Sequence, residues 1–325
     1  MPTSLQVLLL LRDGRFHSGE ALSQKLGVSR TMIWKVIHGL QQDFSLEVQS
    51  VRGRGYRLTY PIELLDEDLI QQQLNVRASA DLSKIEILPV VDSTNRYLMA
   101  AMSQGRIDNR LVFAEQQTDG RGRRGRHWIS PFGTNLYLSL LWHFNLSALE
   151  LTGLGVAVAV ALAEVLAPYS RDIRIKWPND ILWQGRKLAG ILIEMQTEAN
   201  GPASAVIGIG LNLRMPVFAS ENIDQPWADL QQACGHSVPR NEVAAALINR
   251  LVETMNEYQC CGIQAFLPRW REYDVLKDRQ VSVVLGEQPI SGIARGVDDA
   301  GALLLEQADG IHRYMAGEVT LEKTN

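Results

Sequence analysis

The sequence predicts an α+β multidomain protein: an N-terminal winged helix-turn-helix, a central mixed-sheet α/β domain and a small C-terminal β-barrel. The first observation is length, because 325 residues exceed the usual size of a single domain. The second is charge: residues 1–60 hold eight Lys or Arg and four Asp or Glu, so a head of +4 precedes a body of −8 in a chain of net charge −4. The third is a hydrophobic pattern that changes twice, which places the domains at 1–62, 63–277 and 278–325.

The basic head has the pattern of a winged helix-turn-helix. "HSGEALSQKLG" and "VSRTMIWKVIHGL" predict two short helices with N-caps at Ser18 and Ser29, the first ending at Gly27. The preceding run "LQVLLLLR" is apolar enough to resemble a signal peptide, but it lacks the basic segment and the cleavage site of one. We therefore expect a buried helix there. "LEVQSVRGRGYRL" predicts a two-stranded wing. The expected DNA contacts face outward near the start of the second capped helix or lie on the wing: Arg30, Thr31, Trp34, Lys35 and Arg54. A helical docking domain with incidental basic residues is the alternative.

After Pro61 the chain predicts a connector with a short helix from Asp66 to Leu74, and then an α/β pattern. The strand-like runs are "IEILPVV", "LVFAEQ", "NLYLSLLW", "IRIKWP", "KLAGILIEM" and "AVIGIGLNL"; the helix-like runs are "STNRYLMAAMSQG", "LTGLGVAVAVALAEVLAPY" and "RNEVAAALINRLVETMNEYQ". Because the strands cluster more than they alternate with helices, we expect a mixed sheet with helices largely on one side. The apolar run that contains Glu164 is short for a membrane span and predicts a core helix.

The tail from Asp278 onward predicts a small β-barrel. Its short β-rich runs are broken at Gly286, at residues 296–299, at Asp309-Gly310 and at Gly317. The cysteines Cys234, Cys260 and Cys261 are odd in number and lack metal-ligand spacing, which favours a reduced cytoplasmic setting. The chain has no P-loop motif, which excludes a P-loop NTPase. It also has no His/Cys/Asp cluster with metal-ligand spacing.

The segment "GRGRRGRHW", which we call the arginine loop (Gly120–Trp128), concentrates four arginines and three glycines in seven residues. It contains G-x-G-x-x-G, but Pro131 and Gly133 follow where a dinucleotide-binding motif needs a helix, so that interpretation fails. Two interpretations remain. The loop is either a solvated basic or nucleic-acid-binding patch, or an anion cradle in which glycine backbone and arginine side chains approach a phosphate.

Further polar stretches lie where predicted strands end: "DSTN" (92–95), "SPFGTNLYLS" (130–139), "KWPND" (176–180) and "GRKLAGILIE" (185–194). Lys176 and Lys187 flank a predicted hairpin that carries Asn179 and Asp180. Charges beside dense apolar strands are costly unless they are paired or functional. Taken alone, Lys176 and Asp180 fit a structural ion pair as well as a functional one.

These stretches and the arginine loop, in this order, resemble the biotin–protein ligase family. The resemblance covers nearly the whole chain and is strongest to the bifunctional bacterial members, which are also biotin operon repressors. It implies a winged helix, a biotin/lipoate-ligase-like catalytic domain and an SH3-like β-barrel. It also implies that biotin and ATP, with Mg²⁺, form biotinyl-5′-AMP, and that biotin passes to a lysine of a biotin carboxyl carrier protein. The partners implied are that carrier, operator DNA and, with the adenylate bound, a second copy of the chain; a cytoplasmic protein without a membrane partner is expected.

The resemblance assigns roles to individual residues. The catalytic groups are Lys187, Arg123 and Asp180. Contacts to biotin or its acyl phosphate are Ser93, Thr94, Asn95, Gln117, Gly120, Arg121, Gly122, Arg123, Lys187 and Gly190, and the nucleotide side holds Arg126, Trp128, Asn212 and Trp227. No dedicated metal site is implied, although Asp180 is a candidate to help hold Mg²⁺. The chain departs from the family pattern at His127, where relatives often carry Lys, and this predicts one weaker phosphate contact.

Three other functions have distinguishable signatures. A lipoate–protein ligase shares the catalytic fold and adenylate chemistry, but it usually lacks this arginine loop and the winged helix. A ligand-sensing repressor without catalysis would keep "DSTN" and would have no need for Lys187. A nucleic-acid binder that uses the basic loop would have no need for the "KWPND" hairpin.

Overall fold

A computed structural model describes residues 3–44, 46–105, 108–197, 201–221, 223–285 and 289–321. Within these residues the strands form three sheets of two, seven and five strands, in that order along the chain. The predicted break at Gly286 lies outside the described residues. Among the described residues, no helix is both long enough and apolar enough to cross a membrane.

The first unit is a winged helix-turn-helix, as predicted. Its elements are α1 (Thr3–Leu11), α2 (Gly19–Leu26), α3 (Arg30–Asp43), β1 (Val48–Val51) and β2 (Gly55–Leu58). The hydroxyls of Ser18 and Ser29 accept hydrogen bonds from backbone N–H groups three residues later, which fixes where α2 and α3 begin. Gly27 ends α2 in the left-handed conformation at φ 66°, where a glycine carries no steric cost. β1 and β2 pair antiparallel and form the wing.

The winged helix shares its apolar core with the next domain. Phe132, which follows the arginine loop, is 1% exposed and packs among the buried residues of this core, 4.6 Å from Phe44 between ring centroids. The connecting chain is also held, because buried Glu115 accepts a 2.6 Å hydrogen bond from the Leu65 N–H and pairs with Arg240 at 2.8 Å. Both partners of that ion pair are 5% exposed, so loss of either would leave an uncompensated buried charge.

The central domain is built on the seven-stranded mixed sheet. Its elements are α4 (Glu67–Gln71), α5 (Val76–Asp81), β3 (Lys84–Val91), α6 (Thr94–Ser103), β4 (Arg110–Gln117), β5 (Leu136–Phe144), α7 (Leu154–Leu166), β6 (Ile173–Lys176), β7 (Asp180–Trp183), β8 (Arg186–Thr197), β9 (Ala203–Leu211), α8 (Val217–Ser220), α9 (Leu230–Cys234), α10 (Arg240–Cys261) and α11 (Leu267–Tyr273). The strand order is β3-β4-β5-β9-β8-β7-β6, with β3 and β4 parallel and all other pairs antiparallel. The single connector helix predicted from Asp66 to Leu74 was too long: α4 ends at Gln71, and α5 follows.

The two faces of this sheet differ. Helices α7, α10 and α11 pack with Ile207, Ile209 and Leu211 of β9 in the main hydrophobic core. The opposite face carries α6, which packs in a smaller cluster with residues of β4, β5 and β9. The expectation of helices largely on one side is therefore confirmed, and the rest of the α6 face is left to form a cavity.

The C-terminal unit is the predicted small antiparallel β domain. Its strands are β10 (Gln280–Val284), β11 (Pro289–Val297), β12 (Leu303–Gln307), β13 (Gly310–Tyr314) and β14 (Glu318–Leu321), in the order β13-β12-β11-β10-β14. The indole N–H of Trp177, in the turn between β6 and β7, donates to the carbonyl of Gly301 at 3.0 Å. This contact fastens the domain beside the "KWPND" turn.

Candidate active site

A cavity of about 420 Å³ lies over the α6 face of the central sheet, within the size range of small-molecule sites. Its lining comes from the start of α6, the arginine loop, the "KWPND" turn, strands β8 and β9, and residues 317–319 of the C-terminal domain. A second cavity of about 50 Å³ adjoins it and shares Trp128 and Lys187. Segments far apart in sequence therefore enclose one site.

Glycines on the sheet make room for the side chains of the site. A Cβ on Gly208 would lie 2.1 Å from the Asn95 side-chain oxygen, and a Cβ on Gly210 would lie 2.4 Å from the Trp128 ring. Gly190, on β8, would approach the same ring to 3.0 Å. A larger residue at Gly208 or Gly210 would therefore displace Asn95 or Trp128 from the floor of the cavity.

One end of the cavity is lined by uncharged polar side chains that belong to a hydrogen-bonded network, with the Glu194 carboxylate behind them accepting from the Asn95 amide at 2.8 Å. The backbone N–H and hydroxyl of Thr94 donate to the Gln117 side-chain oxygen at 2.9 and 3.1 Å. The buried Ser139 hydroxyl lies 2.8 Å from the Thr94 hydroxyl and 2.6 Å from the Asn95 side-chain oxygen. Ser93 is 1% exposed and lines the same end. The network holds Thr94, Asn95 and Gln117 in fixed orientations.

The arginine loop closes over the cavity and carries its own backbone hydrogen bonds. The Gly122 N–H donates to the Arg126 carbonyl at 2.7 Å, and the Trp128 N–H donates to the Gly120 carbonyl at 2.8 Å. Gly120 is not part of the lining; a Cβ there would lie 2.5 Å from the Trp128 carbonyl, so its role is to permit this close return of the chain. Arg121, Gly122, Arg123 and Arg126 line the cavity.

Individual arginines of the loop have separate partners. The Arg123 guanidinium donates to the Asn179 side-chain oxygen at 3.1 Å, and burial, followed by the charge of Arg124, lowers the pKa of Arg123. Arg126, expected on the nucleotide side, pairs with Glu318 of the C-terminal domain at 2.5 Å. The loop therefore bridges the central sheet and the C-terminal domain.

A charged group formed by two lysines and one carboxylate lies below the loop. One Asp180 oxygen is 2.8 Å from the Lys187 ammonium and the other is 3.4 Å from the Lys176 ammonium. The Lys187 ammonium also lies 5.6 Å from the centre of the Trp128 ring. The Lys176–Asp180 ion pair exists, but Asp180 lies closer to Lys187. Because two cations share one anion, the group keeps a net positive charge facing the cavity.

The smaller cavity holds the remaining nucleotide-side candidates. Trp227 and Asn212 line it together with Met215, Ile223 and Gln225, which the sequence interpretation missed. The Trp227 segment is held against β8, since the Lys187 N–H donates to the Pro226 carbonyl at 2.9 Å. Within the part of the chain that the structure describes, the buried side-chain oxygen of Asn212 and the indole N–H of Trp128 have no hydrogen-bond partner. The Trp128 indole nitrogen faces Gly210 on the sheet, where a Cβ would lie 2.5 Å from it.

Several groups of the site were missed by sequence reasoning: Ser139, Glu194, Gly208, Gly210 and Glu318. The alternating glycines of "IGIGL" were a usable signal, because residues two apart on a strand share one face. No comparable local signal marks Glu318, whose partner Arg126 is 192 residues away.

A metal would find few ligands here. Among the described residues, no group of three or more His, Cys, Asp or Glu side chains is arranged to hold a metal ion. Both oxygens of Asp180 already face lysine ammonium groups. Asp180 is therefore arranged to pair with the lysines, and a bound Mg²⁺ would compete with them.

The DNA-contact candidates lie apart from this site, on the winged helix. Arg30, Thr31, Trp34 and Lys35 are exposed together on α3, and Arg54 is exposed on the wing. Arg30 pairs with Glu20 at 2.7 Å, and the Trp34 ring stacks on His38 with centroids 4.4 Å apart. The Arg54 and Arg57 guanidinium groups lie 4.1 and 4.6 Å from the centre of the Phe16 ring, which holds both on one side of the wing.

The fold and the site define a winged-helix protein whose central domain carries a cation-lined small-molecule site. Residues 87–212 match the model of the Biotin/lipoate A/B protein ligase family, residues 3–57 an HTH domain, and residues 278–321 the Biotin protein ligase C terminal domain. The chain is similar to the Bifunctional ligase/repressor BirA of Salmonella typhimurium, at 43% identity over 98% of this chain and 97% of that protein. It is 41% identical to that of Escherichia coli, over 98% of this chain and 96% of the relative. The chain belongs to the biotin–protein ligase family, among its bifunctional ligase/repressors.

A solved structure with ligands agrees with this membership. The biotin protein ligase of Aquifex aeolicus in complex with biotin and ATP is similar with a TM-score of 0.61 and 26% identity, covering 75% of this chain and 100% of that one.

Proposed function

We propose that the protein activates biotin with ATP to biotinyl-5′-AMP and transfers the biotinyl group to a lysine of a biotin carboxyl carrier protein. The observation that carries the proposal is the convergence on one cavity of the arginine loop, the Lys187–Asp180–Lys176 group and a fixed polar network. Uncharged polar groups at one end and cations at the other suit a ligand with a polar head and a carboxylate tail. This is the chemistry of biotin.

The cations address the central difficulty of the first step. A carboxylate oxygen of biotin must attack the α-phosphorus of ATP while pyrophosphate leaves, which brings two anions together. Lys187 and Arg123 supply positive charge held in place before the reaction, so little reorganisation is needed as charge develops. Asp180 positions Lys187, and Lys176 shares the same carboxylate. In the second step the carrier lysine attacks the acyl carbon and AMP leaves.

The two ends of the cavity would hold the two parts of the adenylate. Ser93, Thr94, Asn95 and Gln117 would bind the polar head of biotin, with Gly190 leaving space along β8. On the nucleotide side, Trp128 and Trp227 line the smaller cavity with Asn212, and their rings offer stacking surfaces to a purine base. Mg²⁺ would arrive on the ATP phosphates, since Asp180 is engaged by lysines.

The enzymatic half is tested by mass spectrometry of a carrier domain incubated with the full-length protein, ATP and biotin. We expect the carrier to gain the mass of one biotinyl group, and to remain unmodified when ATP is omitted or the acceptor lysine is replaced by arginine. Lipoate in place of biotin is the matched control. Modification by lipoate and not by biotin would indicate a lipoate–protein ligase, and binding of biotin without any transfer would indicate a ligand-sensing repressor.

We propose further that the adenylate-bound protein represses transcription as a homodimer. The winged helix supports this, because helix-turn-helix modules normally bind two half-sites as a two-fold pair. Sedimentation equilibrium should give a mainly monomeric ligand-free protein and dimers with biotinyl-5′-AMP, with operator binding by the dimer that weakens steeply with salt. If the adenylate changes neither the association constant nor the operator affinity, this half of the proposal is contradicted.

The remaining assignments follow from the same function. We propose domain limits of 1–62, 63–277 and 278–325 and a cytoplasmic location, which suits a chain whose cysteines are free thiols. We propose that Arg30, Thr31, Trp34 and Lys35 contact bases or phosphates in the major groove and that Arg54 contacts the backbone.

A further inference from the structure

A cluster of charges lies at the entrance to the arginine loop. Asp119, the residue just before the loop, has one carboxylate oxygen 2.6 Å from the Arg96 guanidinium of α6. The same side chain faces two loop residues, with the His127 ring nitrogen at 3.5 Å and the Arg121 guanidinium at 4.0 Å. Hydrogen bonding to Arg96, more than any other contact, lowers the pKa of Asp119, so the carboxylate is ionised at neutral pH.

The backbone places this carboxylate firmly. The Asp119 N–H donates to the Asp92 carbonyl at 2.9 Å, and the Thr118 N–H donates to the Val91 carbonyl at 2.9 Å. The Arg96 guanidinium also pairs with the Asp92 carboxylate, through its other terminal nitrogen. Arg96 is therefore held between two carboxylates, and Asp119 is the one that faces the loop.

Asp119 and Arg96 do not line the cavity, whereas Arg121 and His127 do. Arg121 and His127 are paired with each other by an antiparallel β-bridge, so one carboxylate reaches both sides of the loop. Arg96 belongs to the same helix as Thr94 and Asn95, which lie at the polar end of the cavity. A contact between Arg96 and Asp119 therefore joins the polar end of the cavity to the loop that covers it.

We propose that Asp119 is a positioning residue that latches the arginine loop to α6 and thereby retains the acyl-adenylate. The inference rests on the proposed function. It goes beyond it by naming a residue outside the cavity lining that retains the bound adenylate only through its contacts with Arg121 and His127. With the latch closed, the loop stays over the mixed anhydride and excludes water from it.

The charge of Asp119 also acts directly on the anionic adenylate, and this electrostatic effect changes the dissociation rate in the opposite direction from the latch. Asp119 is an anion among cations, so neutralising it makes the surroundings of the cavity more positive. If Asp119 acted only through its charge, Asp119→Asn would slow the departure of the anionic adenylate. If it acts as a latch, the same substitution speeds departure. The two accounts predict opposite changes in one rate.

The experiment loads full-length protein with synthetic biotinyl-5′-AMP and measures its dissociation during a chase with unlabelled adenylate. We expect Asp119→Asn and Arg96→Gln each to dissociate about two- to fivefold faster, the range that exposed ion pairs typically contribute. The double variant should be no faster than the faster single variant, because both remove the same contact. Asp119→Glu should restore most of the retention.

The control is Arg77→Gln, which breaks an exposed pair with Asp81, 3.7 Å apart, on α5 and outside the cavity lining. It should leave both the dissociation rate and the thermal midpoint unchanged. Dissociation from Asp119→Asn that is unchanged or slower, or additive effects in the double variant, would overturn the latch while leaving the proposed function intact. A wild-type protein that retains no adenylate would overturn both.

Discussion

Replacing Lys187 by alanine should leave a folded protein that forms little biotinyl-5′-AMP. The fold is expected to survive because Lys176 remains 3.4 Å from Asp180 and still compensates its charge. The backbone bonds of residue 187, to the Pro226 carbonyl and from the Ala228 N–H at 2.9 Å each, do not depend on the side chain. The substitution therefore removes a cation without orphaning its partner.

The size of the effect follows from what Lys187 contacts. The Lys187 side chain is 18% exposed, so its charge acts in a partly desolvated setting where it has a stronger influence than in water. Loss of one preorganised donor at developing negative charge costs about 3 kcal/mol of transition-state stabilisation. This corresponds to a rate roughly two orders of magnitude lower.

The assay is biotin-dependent exchange of labelled pyrophosphate into ATP, with the thermal midpoint measured alongside. Lys187→Met is the companion variant, since it keeps most of the side-chain volume and should lose activity equally. Lys84→Met, which breaks an exposed 3.1 Å pair with Glu86 on β3, is the control and should exchange normally. Exchange within a few-fold of wild type in Lys187→Ala, with an unchanged midpoint, would refute the assignment of Lys187 as the catalytic cation.

Three other substitutions test different parts of the molecule. Gly122→Val should speed adenylate dissociation and barely move the thermal midpoint, because its Cβ would lie 3.4 Å from the Arg126 carbonyl within the loop; the reverse pattern would contradict a role in closure. Phe132→Ala should cost about 3–5 kcal/mol in the winged-helix core and weaken operator binding far more than pyrophosphate exchange, as thermal unfolding and a DNA titration would reveal. Burial raises the pKa of Asp274 to about 6, so ionising it costs stability as pH rises from about 4 to 6. Asp274→Asn should therefore stabilise the protein by about 3 kcal/mol at pH 8 and not at pH 4, and equal midpoint shifts at both pH values would be inconsistent with this account.

The parts of the fold that sequence predicted well are those with local causes. Ser18, Gly27 and Ser29 mark helix ends because a cap needs only its own helix, and the structure confirms all three. The strands of the central sheet were recognisable as short apolar runs bounded by polar residues. The connector was predicted less well: a polar stretch with weak periodicity gave no sign that one helix would become two, α4 and α5.

The parts that sequence could not predict are contacts between distant segments. The stretches "DSTN", "KWPND" and "GRKLAG" were recognisable as polar residues at strand ends, and the structure brings them to one cavity. That Asp180 serves two lysines depends on the register of β6, β7 and β8, which pairs it with Lys176 on one side and Gly190 on the other. A shift of one residue would turn Asp180 to the opposite face. The residue types that carry the charge of the site could therefore be recognised in the sequence. Their arrangement around Asp180 could not, because it depends on the strand register.

The interdomain contact at Phe132 extends this reasoning from the site to the whole chain. Sequence placed "SPFGTNLYLS" among the ligand-site stretches, and Ser130 does bond to Gln117 within the polar network at 3.1 Å. Two residues later the same segment enters the core of the winged helix, and a Cβ on Gly133 would meet Ile62 at 2.9 Å. This short stretch therefore contacts the ligand network at one end and the core of the DNA-binding domain at the other. An isolated winged helix would lack Phe132 and would expose the apolar surface that this ring covers, so part of the winged-helix core is completed by the central domain.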